Sequence, residues 1–253
     1  MSNVTLSSVV RYCDKLLRPD RFQDWEQACN GLQVENRGTV RMLAALVDAT
    51  PTTVRMAADE GANLIIAHHG LFWSPSHPWT GKRYHLLRTL LDHDIAVYSS
   101  HLPLDAHPTL GNNAGLCRVL GFSRLKPFFF DREAWLGFQT VMRIDRDELA
   151  KRITQATGDR PRLLAGGPKT CRRIGVVSGG AGNDMRKAAA DGVDTFITGE
   201  GSHWTHALAE ELGLNVFYAG HYATETFGVK ALAGHLSKRF RLDWTFVDHP
   251  TGL

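Results

Sequence analysis

The sequence predicts an α/β fold of two related α/β lobes, each a mostly parallel sheet flanked by helices. Three observations carry this expectation. Residues 41–69 read strand, helix, strand; residues 173–200 read the same way; and the two stretches align without a gap over VRMAADEGANLIIAHH and MRKAAADGVDTFITGE, where Arg55/Arg186, Ala57/Ala188, Ala58/Ala189, Gly61/Gly192 and Ile66/Ile197 are identical. Units of this kind build parallel sheets covered by helices. Residues 1–125 are expected to form the first lobe and 126–253 the second, packed as one compact unit with no flexible linker.

In chain order, RMLAALVDAT is apolar enough for a buried strand, and Thr50-Pro51 opens the helix PTTVRMAADEGA. Proline suits a first helical turn because its missing N–H has no partner there anyway. NLIIAHH is the next strand and IAVYSS the one after it, while HLPLDAHP, with Pro103 and Pro108, reads as a loop. The segment LKPFFFDREAWLGFQTVMRIDRDELAKRITQATG reads as extra strands and a helix at the lobe junction, with a turn at Pro127. RIGVVSGG, AGNDMRKAAADGV and DTFITGE then repeat strand, helix and strand, and NVFYAG leads into a helix over TETFGVKALAGHL. The alternation in FRLDWTFVDHP marks a closing strand.

Composition narrows the function classes. A chain of 253 residues can bury roughly three quarters of its extended surface, ample for an enzyme-sized core. Its net charge of +3, from 29 basic and 26 acidic residues, gives a nucleic-acid surface only weak support. No run of about 18 apolar residues occurs and the N-terminus has no basic-then-apolar leader, so neither membrane spanning nor export is expected. Cys13, Cys29, Cys117 and Cys171 form no CxxC pair, which argues against a zinc knuckle or disulfide framework and suits a reducing, cytoplasmic location.

Histidine is abundant, with twelve residues, and histidine is the commonest metal ligand. In parallel α/β sheets, functional groups gather at the carboxyl ends of strands. His68 and His69 end one strand, where Gly70 lets the chain turn so that both imidazoles can face one crevice. His101 follows another strand with Asp105 four residues on, and His221 follows a third with Glu225 four residues on, within one face of a helix. A metal site at the strand carboxyl ends between the lobes is therefore expected. Glu200, which aligns with His69, and His203 are candidates for contact with substrate. His77, His85, His93, His107, His206 and His235 sit in loops or on helix faces and read as ordinary histidines. The turn VSGGAGN (177–183) has no GK[ST] and is no P-loop; a phosphate cradle and a plain tight turn both remain open. Trp73, Trp79 and the phenylalanines at 128–130 are expected to bury some apolar surface between subunits.

WEQACNGLQV, LIIAHHGLFW, SSHLPLD, DTFITGEGSHW and AGHYATETFGV, in that order, resemble the GTP cyclohydrolase type 2-like family of dinuclear-metal hexameric proteins, related to the NGG-one-interacting factor three. The resemblance spans nearly the whole chain and departs from the family's usual sequence at Gly70, where proline is the rule. It implies two divalent metal ions per subunit held by His68, His69, Asp105, His221 and Glu225, with His101 beside them, and a toroidal homohexamer. Histidine and carboxylate donors without thiolate suit zinc, manganese, iron or nickel. Such a site fits a hydrolase acting on a nucleotide-like or phosphoester substrate, with His101 or His203 moving a proton. The competing expectation is a metal-loaded ring scaffold that binds a protein or nucleic-acid partner without turnover.

Overall fold

The computed structural model describes residues 4–73 and 78–253; His77 lies outside them. The elements run β1 (Val4–Thr5), α1 (Leu6–Leu17), β2 (Gly31–Val34), β3 (Thr39–Val40), β4 (Met42–Asp48), α2 (Pro51–Asp59), β5 (Leu64–His69), α3 (Gly81–Asp92), β6 (Ala96–Ser99), α4 (Leu102–Asp105) and α5 (Asn112–Val119). There follow β7 (Lys126–Asp131), β8 (Ala134–Asp145), α6 (Arg146–Thr157), β9 (Arg162–Ala165), β10 (Thr170–Val176), α7 (Met185–Ala190), β11 (Thr195–Thr198), α8 (Thr205–Leu212), β12 (Asn215–Tyr218), α9 (His221–Phe240) and β13 (Asp243–Phe246). No helix among the described residues is long and apolar enough to cross a membrane.

Two units form. The first ends at Leu104 and resumes over Gly228–His249; the second comprises Asp105–Phe227 and Pro250–Leu253. Residues 105–125, expected in the first lobe, thus fall in the second unit, and Gly228–His249, expected in the second, fall in the first. The reason is β13, which pairs in parallel with β4 and completes a sheet of order β13-β4-β5-β6-β2. That sheet is parallel except for its edge strand β2. The second sheet, β7-β8-β10-β11-β12-β9, is parallel only across β10, β11 and β12, with antiparallel strands on both flanks.

The repeat seen in the sequence extends to the hydrogen bonds inside each unit. β4 and β5 pair Leu43 with Leu64 and Ala45 with Ile66, and β10 and β11 pair the aligned residues, Ile174 with Thr195 and Val176 with Ile197. Asn63 Oδ1 accepts from the N–H groups of Arg41 and Met42, and the aligned Asp194 accepts from those of Arg172 and Arg173. Gly61 and Gly192 both sit at φ 78°, turning helix into strand where a side chain would be strained. The edges match as well: β2 lies antiparallel to β6, and β9 antiparallel to β12. The correspondence shifts by one residue after the third strand. Ser100 N–H bonds Ala67 O as Ala219 N–H bonds Thr198 O, so His101 corresponds to Gly220 and His221 falls one position later. The two His-x-x-x-acid spacings are equal in sequence but not in register.

Two further expectations change. The HLPLD segment is not a loop: Leu102–Asp105 forms one helical turn, with Pro103 in its first positions, where proline is tolerated. The phenylalanine run is mainly interior, since Phe128 and Phe129 are buried and both pack against Phe196, while Phe130 is exposed beside Trp135. Strand alternation would send neighbours to opposite faces, but Phe129 takes φ 63°, which breaks the alternation and turns two consecutive rings inward.

A capping box holds the loop from β4 to α2. Thr50 Oγ1 accepts from Thr53 N–H and Thr53 Oγ1 accepts from Thr50 N–H, while the same hydroxyl donates to Asp48 O at 2.6 Å. Thr50→Ala should destabilise the protein by about 1 kcal/mol and lower Tm by a few degrees; calorimetry showing no change would remove the cap from the account.

Candidate metal centre

In the first unit, β5 ends on His68 and His69, and the chain after β6 supplies His101. One nitrogen of each ring lies within 4.8 Å of the others, a spacing that could hold a metal ion. His68 is fully buried and its Nδ1 lies 2.9 Å from Ser100 O. A carbonyl only accepts, so the proton sits on Nδ1 and Nε2 carries the lone pair. His69 Nδ1 lies 2.8 Å from Asp48 Oδ1, and His101 Nδ1 lies 2.7 Å from Asp24 Oδ1. All three rings are thus anchored through Nδ1 by oxygen acceptors, the usual means of orienting metal-binding imidazoles. Trp73 covers the group, its ring centroid 5.0 Å from that of His69 and 4.6 Å from that of His101.

Asp24 is the hub beneath His101. It accepts from Asn30 Nδ2 and from the N–H groups of Trp25 and Leu102, and Asn30 in turn accepts from His101 N–H. Burial pushes the Asp24 carboxyl up, but the hydrogen bond and charge of His101, with Asn30 and Trp25, outweigh burial and hold it below the usual carboxylate range. Its stabilising effect is present above the unfolded pKa and lost as pH falls through the lowered one. Asp24→Asn should leave the fold intact and weaken metal retention by about ten- to a hundredfold; unchanged chelator competition would show that His101 needs no such anchor.

In the second unit, Gly220, at φ 92°, turns the chain from β12 into α9. His221 Nδ1 lies 2.8 Å from Glu200 Oε1 and Nε2 lies 3.2 Å from Glu225 Oε1, one helical turn on. Burial opposes charge on the imidazole, yet the hydrogen bonds and charges of Glu225 and then Glu200 lift its pKa from 6.5 to about 9. The metal-free protein should therefore gain most from this ring below pH 6.5 and lose that gain as pH rises through about 9. A Tm that does not fall over this range in chelator-treated protein would refute the assignment. Asp105 is nearly buried, and its Oδ1 accepts from Asn112 Nδ2 at 2.8 Å and Ser178 Oγ at 3.0 Å. Asn113 donates to Asp105 O and accepts from Ser178 N–H, so the loop after β10 is tied to the residues that fix Asp105.

The glycine-rich turn borders this acidic group. Gly179 sits at φ 67°, and a Cβ there would collide with Glu225 Oε1; beside Gly180 stand His221 and Glu200. Its neighbours are thus two carboxylates and the imidazole between them. Glu200 touches His221, and His203 is exposed in the turn before α8, with no side-chain hydrogen bond among the described residues.

The model of the family Duf34/NIF3 (NGG1p interacting factor 3) matches residues 4–251. The chain belongs to this family. Among relatives, the protein from Deinococcus radiodurans named GTP cyclohydrolase 1 type 2 homolog is 39% identical over 97% of this chain and 93% of its own. The Halobacterium salinarum protein of the same name is also 39% identical, over 96% of this chain and 97% of its own. Among solved structures, TTHA1606 from Thermus thermophilus matches with a TM-score of 0.92 at 42% identity, covering 99% of this chain and all of that one. The protein ybgI, described as of unknown function, matches at 0.91 with 36% identity and the same coverage.

Within this Duf34/NIF3 chain, the residues that sequence reasoning missed are the anchors. Asp24, Asn30 and Asp48 orient histidines, and Asn112 and Ser178 orient Asp105. Asp24 immediately precedes the WEQACN part of the family-like motif and Asn30 ends it, the one signal that pointed to them. Imidazole and carboxylate oxygen donors fit a divalent ion. Neither candidate group among the described residues includes a cysteine, and burial pushes the Cys13 and Cys117 thiols up to about 12.

Proposed function

We propose that the protein is a divalent-metal-dependent hydrolase acting on a nucleotide-like or phosphoester substrate. Two metal ions are held by two donor sets, His68 and His69 in the first unit and Asp105, His221 and Glu225 in the second. The observation that carries the reading is the anchoring of three neighbouring imidazoles by oxygen acceptors at Nδ1, which leaves their Nε2 lone pairs for a common ion. It favours His101 as a further ligand beside His68 and His69, in place of the proton-carrying role expected earlier. Bound ions would supply Lewis acidity and a water of lowered pKa. The chain's own residues hold the donors in place: Asp24 and Asp48 fix the imidazoles, and Asn112 and Ser178 fix the Asp105 carboxylate. The relatives' name, GTP cyclohydrolase 1 type 2 homolog, supports a purine nucleotide among the first substrates to try.

The test is metal analysis of the purified protein followed by turnover with a panel of nucleotides and phosphoesters, for the native chain and Asp105→Asn. Metal-dependent turnover that the variant loses is expected. Bound metal with no turnover on any member would favour the scaffold instead. We propose a homohexamer as the assembled state, supported by exposed Phe130, Trp135 and Val141 in the β7–β8 hairpin. Light scattering that gave a monomer near 28.1 kDa would rule it out.

A further inference from the structure

The first unit contains a cavity of about 360 Å³ that opens beside His69 and is lined by Asp48, Thr50, Trp73, Arg83 and Leu86, among others. Its size suits a small ligand, and its mainly apolar wall with few polar groups is the usual form of a binding pocket. Asp48 is engaged by His69 Nδ1, so its charge is directed at the imidazole. Arg83, projecting from α3, is the one guanidinium among the described residues of the wall. Its Nη1 is buried and has no hydrogen-bond partner among the described residues, and its Cζ stands 5.0 Å from the centroid of the Trp79 ring. A guanidinium is always charged, and a buried N–H without an acceptor is costly. The guanidinium beside the Trp79 ring therefore keeps a donor that an acceptor from outside the chain would satisfy.

Beyond Pro51 and Leu86, which line both spaces, lies a groove of about 480 Å³ between α2 and α3. Its wall includes Arg55, Lys82 and His85 and, among the described residues, no carboxylate. The cavity and the groove thus form a path from His69 along which the balance of charge becomes positive.

We infer that this path binds an elongated anionic ligand: a planar ring beside Trp73 at the His69 end, its first anionic group on Arg83, and further anionic groups along Lys82 and His85. The inference rests on the hydrolase reading only in placing the reacting end at His69. The ring gains an aromatic wall, and the first anion satisfies the buried Nη1 through a charge-assisted hydrogen bond. Later anions meet the solvated Lys82 ammonium and the His85 ring and contribute less, in a salt-dependent way.

Calorimetric titration of the metal-loaded protein with guanosine, its monophosphate and its triphosphate decides the matter. The monophosphate should bind about tenfold or more tighter than the nucleoside, a difference expected for one charge-assisted contact. The triphosphate should bind tighter still, by a margin that shrinks as salt is raised. Arg83→Gln should erase the advantage of the monophosphate over guanosine, and the double variant Lys82→Gln/His85→Gln should erase only the added advantage of the triphosphate. Both changes lie at exposed or half-buried positions, and the metal content of each variant should match that of the native chain. Equal affinity for all three compounds, no binding by any of them, or a phosphate advantage that survives Arg83→Gln would each overturn the inference. A protein that held no metal would defeat the hydrolase reading instead, while the phosphate dependence in the same titrations would still decide the path.

Discussion

Glu225→Gln should lower the affinity of the protein for divalent ions by about a hundredfold or more. Loss of a residue that merely orients a ligand costs ten- to a hundredfold, and a direct anionic donor must count for more. Glu225 is 3% exposed and lies one helical turn after His221 at the start of α9, where its Oε1 stands 3.2 Å from His221 Nε2. Glutamine preserves the volume and removes the charge. Two consequences follow from the same change: the ion loses a donor, and the His221 imidazole loses the largest support for its raised pKa. Exhaustive dialysis followed by metal analysis, with chelator competition, measures the first; histidine titration by NMR in the metal-free protein measures the second. Native metal content together with a fallen His221 pKa would mean that Glu225 serves the imidazole and not the ion.

Gly179→Ala should cost about 2–4 kcal/mol of stability and remove metal binding with it. The backbone at φ 67° disfavours any side chain, and the new Cβ would collide with the Glu225 carboxylate. The chain cannot slide away cheaply. Gly179 N–H donates to Thr224 Oγ1, and its carbonyl accepts from the N–H groups of Gly199 and Glu200 and from Thr198 Oγ1. Gly180→Ala is the control, since its φ is −90° and an added Cβ would find its nearest atom, in His221, at 3.6 Å. Thermal unfolding and metal content should fall together for the first variant and stay near native for the second. Equal behaviour of the two would show that this turn does not shape the site.

By itself the sequence determined the α/β class, the repeated strand–helix–strand units, the family and the residue types able to hold a metal. All of these are local: a buried strand needs an apolar run, a helix start needs Thr50-Pro51, and the repeat survives as identical residues at matched positions. What needed the tertiary structure was everything set by partners distant in sequence. Asp24 reaches His101 across 77 residues and Ser178 reaches Asp105 across 73, and no spacing rule spans such a separation. The pairing of β13 with β4 moved Gly228–His249 into the first unit, because a closing strand can join whichever sheet leaves an edge open to it. The positive φ of Phe129 turned two adjacent rings inward, and Gly220 displaced His221 by one register position; each depends on a backbone angle that residue type alone does not specify. The donor atoms were legible as a list, but their orientation was not, since an imidazole presents Nε2 only when something fixes Nδ1, and those fixing oxygens arrive through the fold.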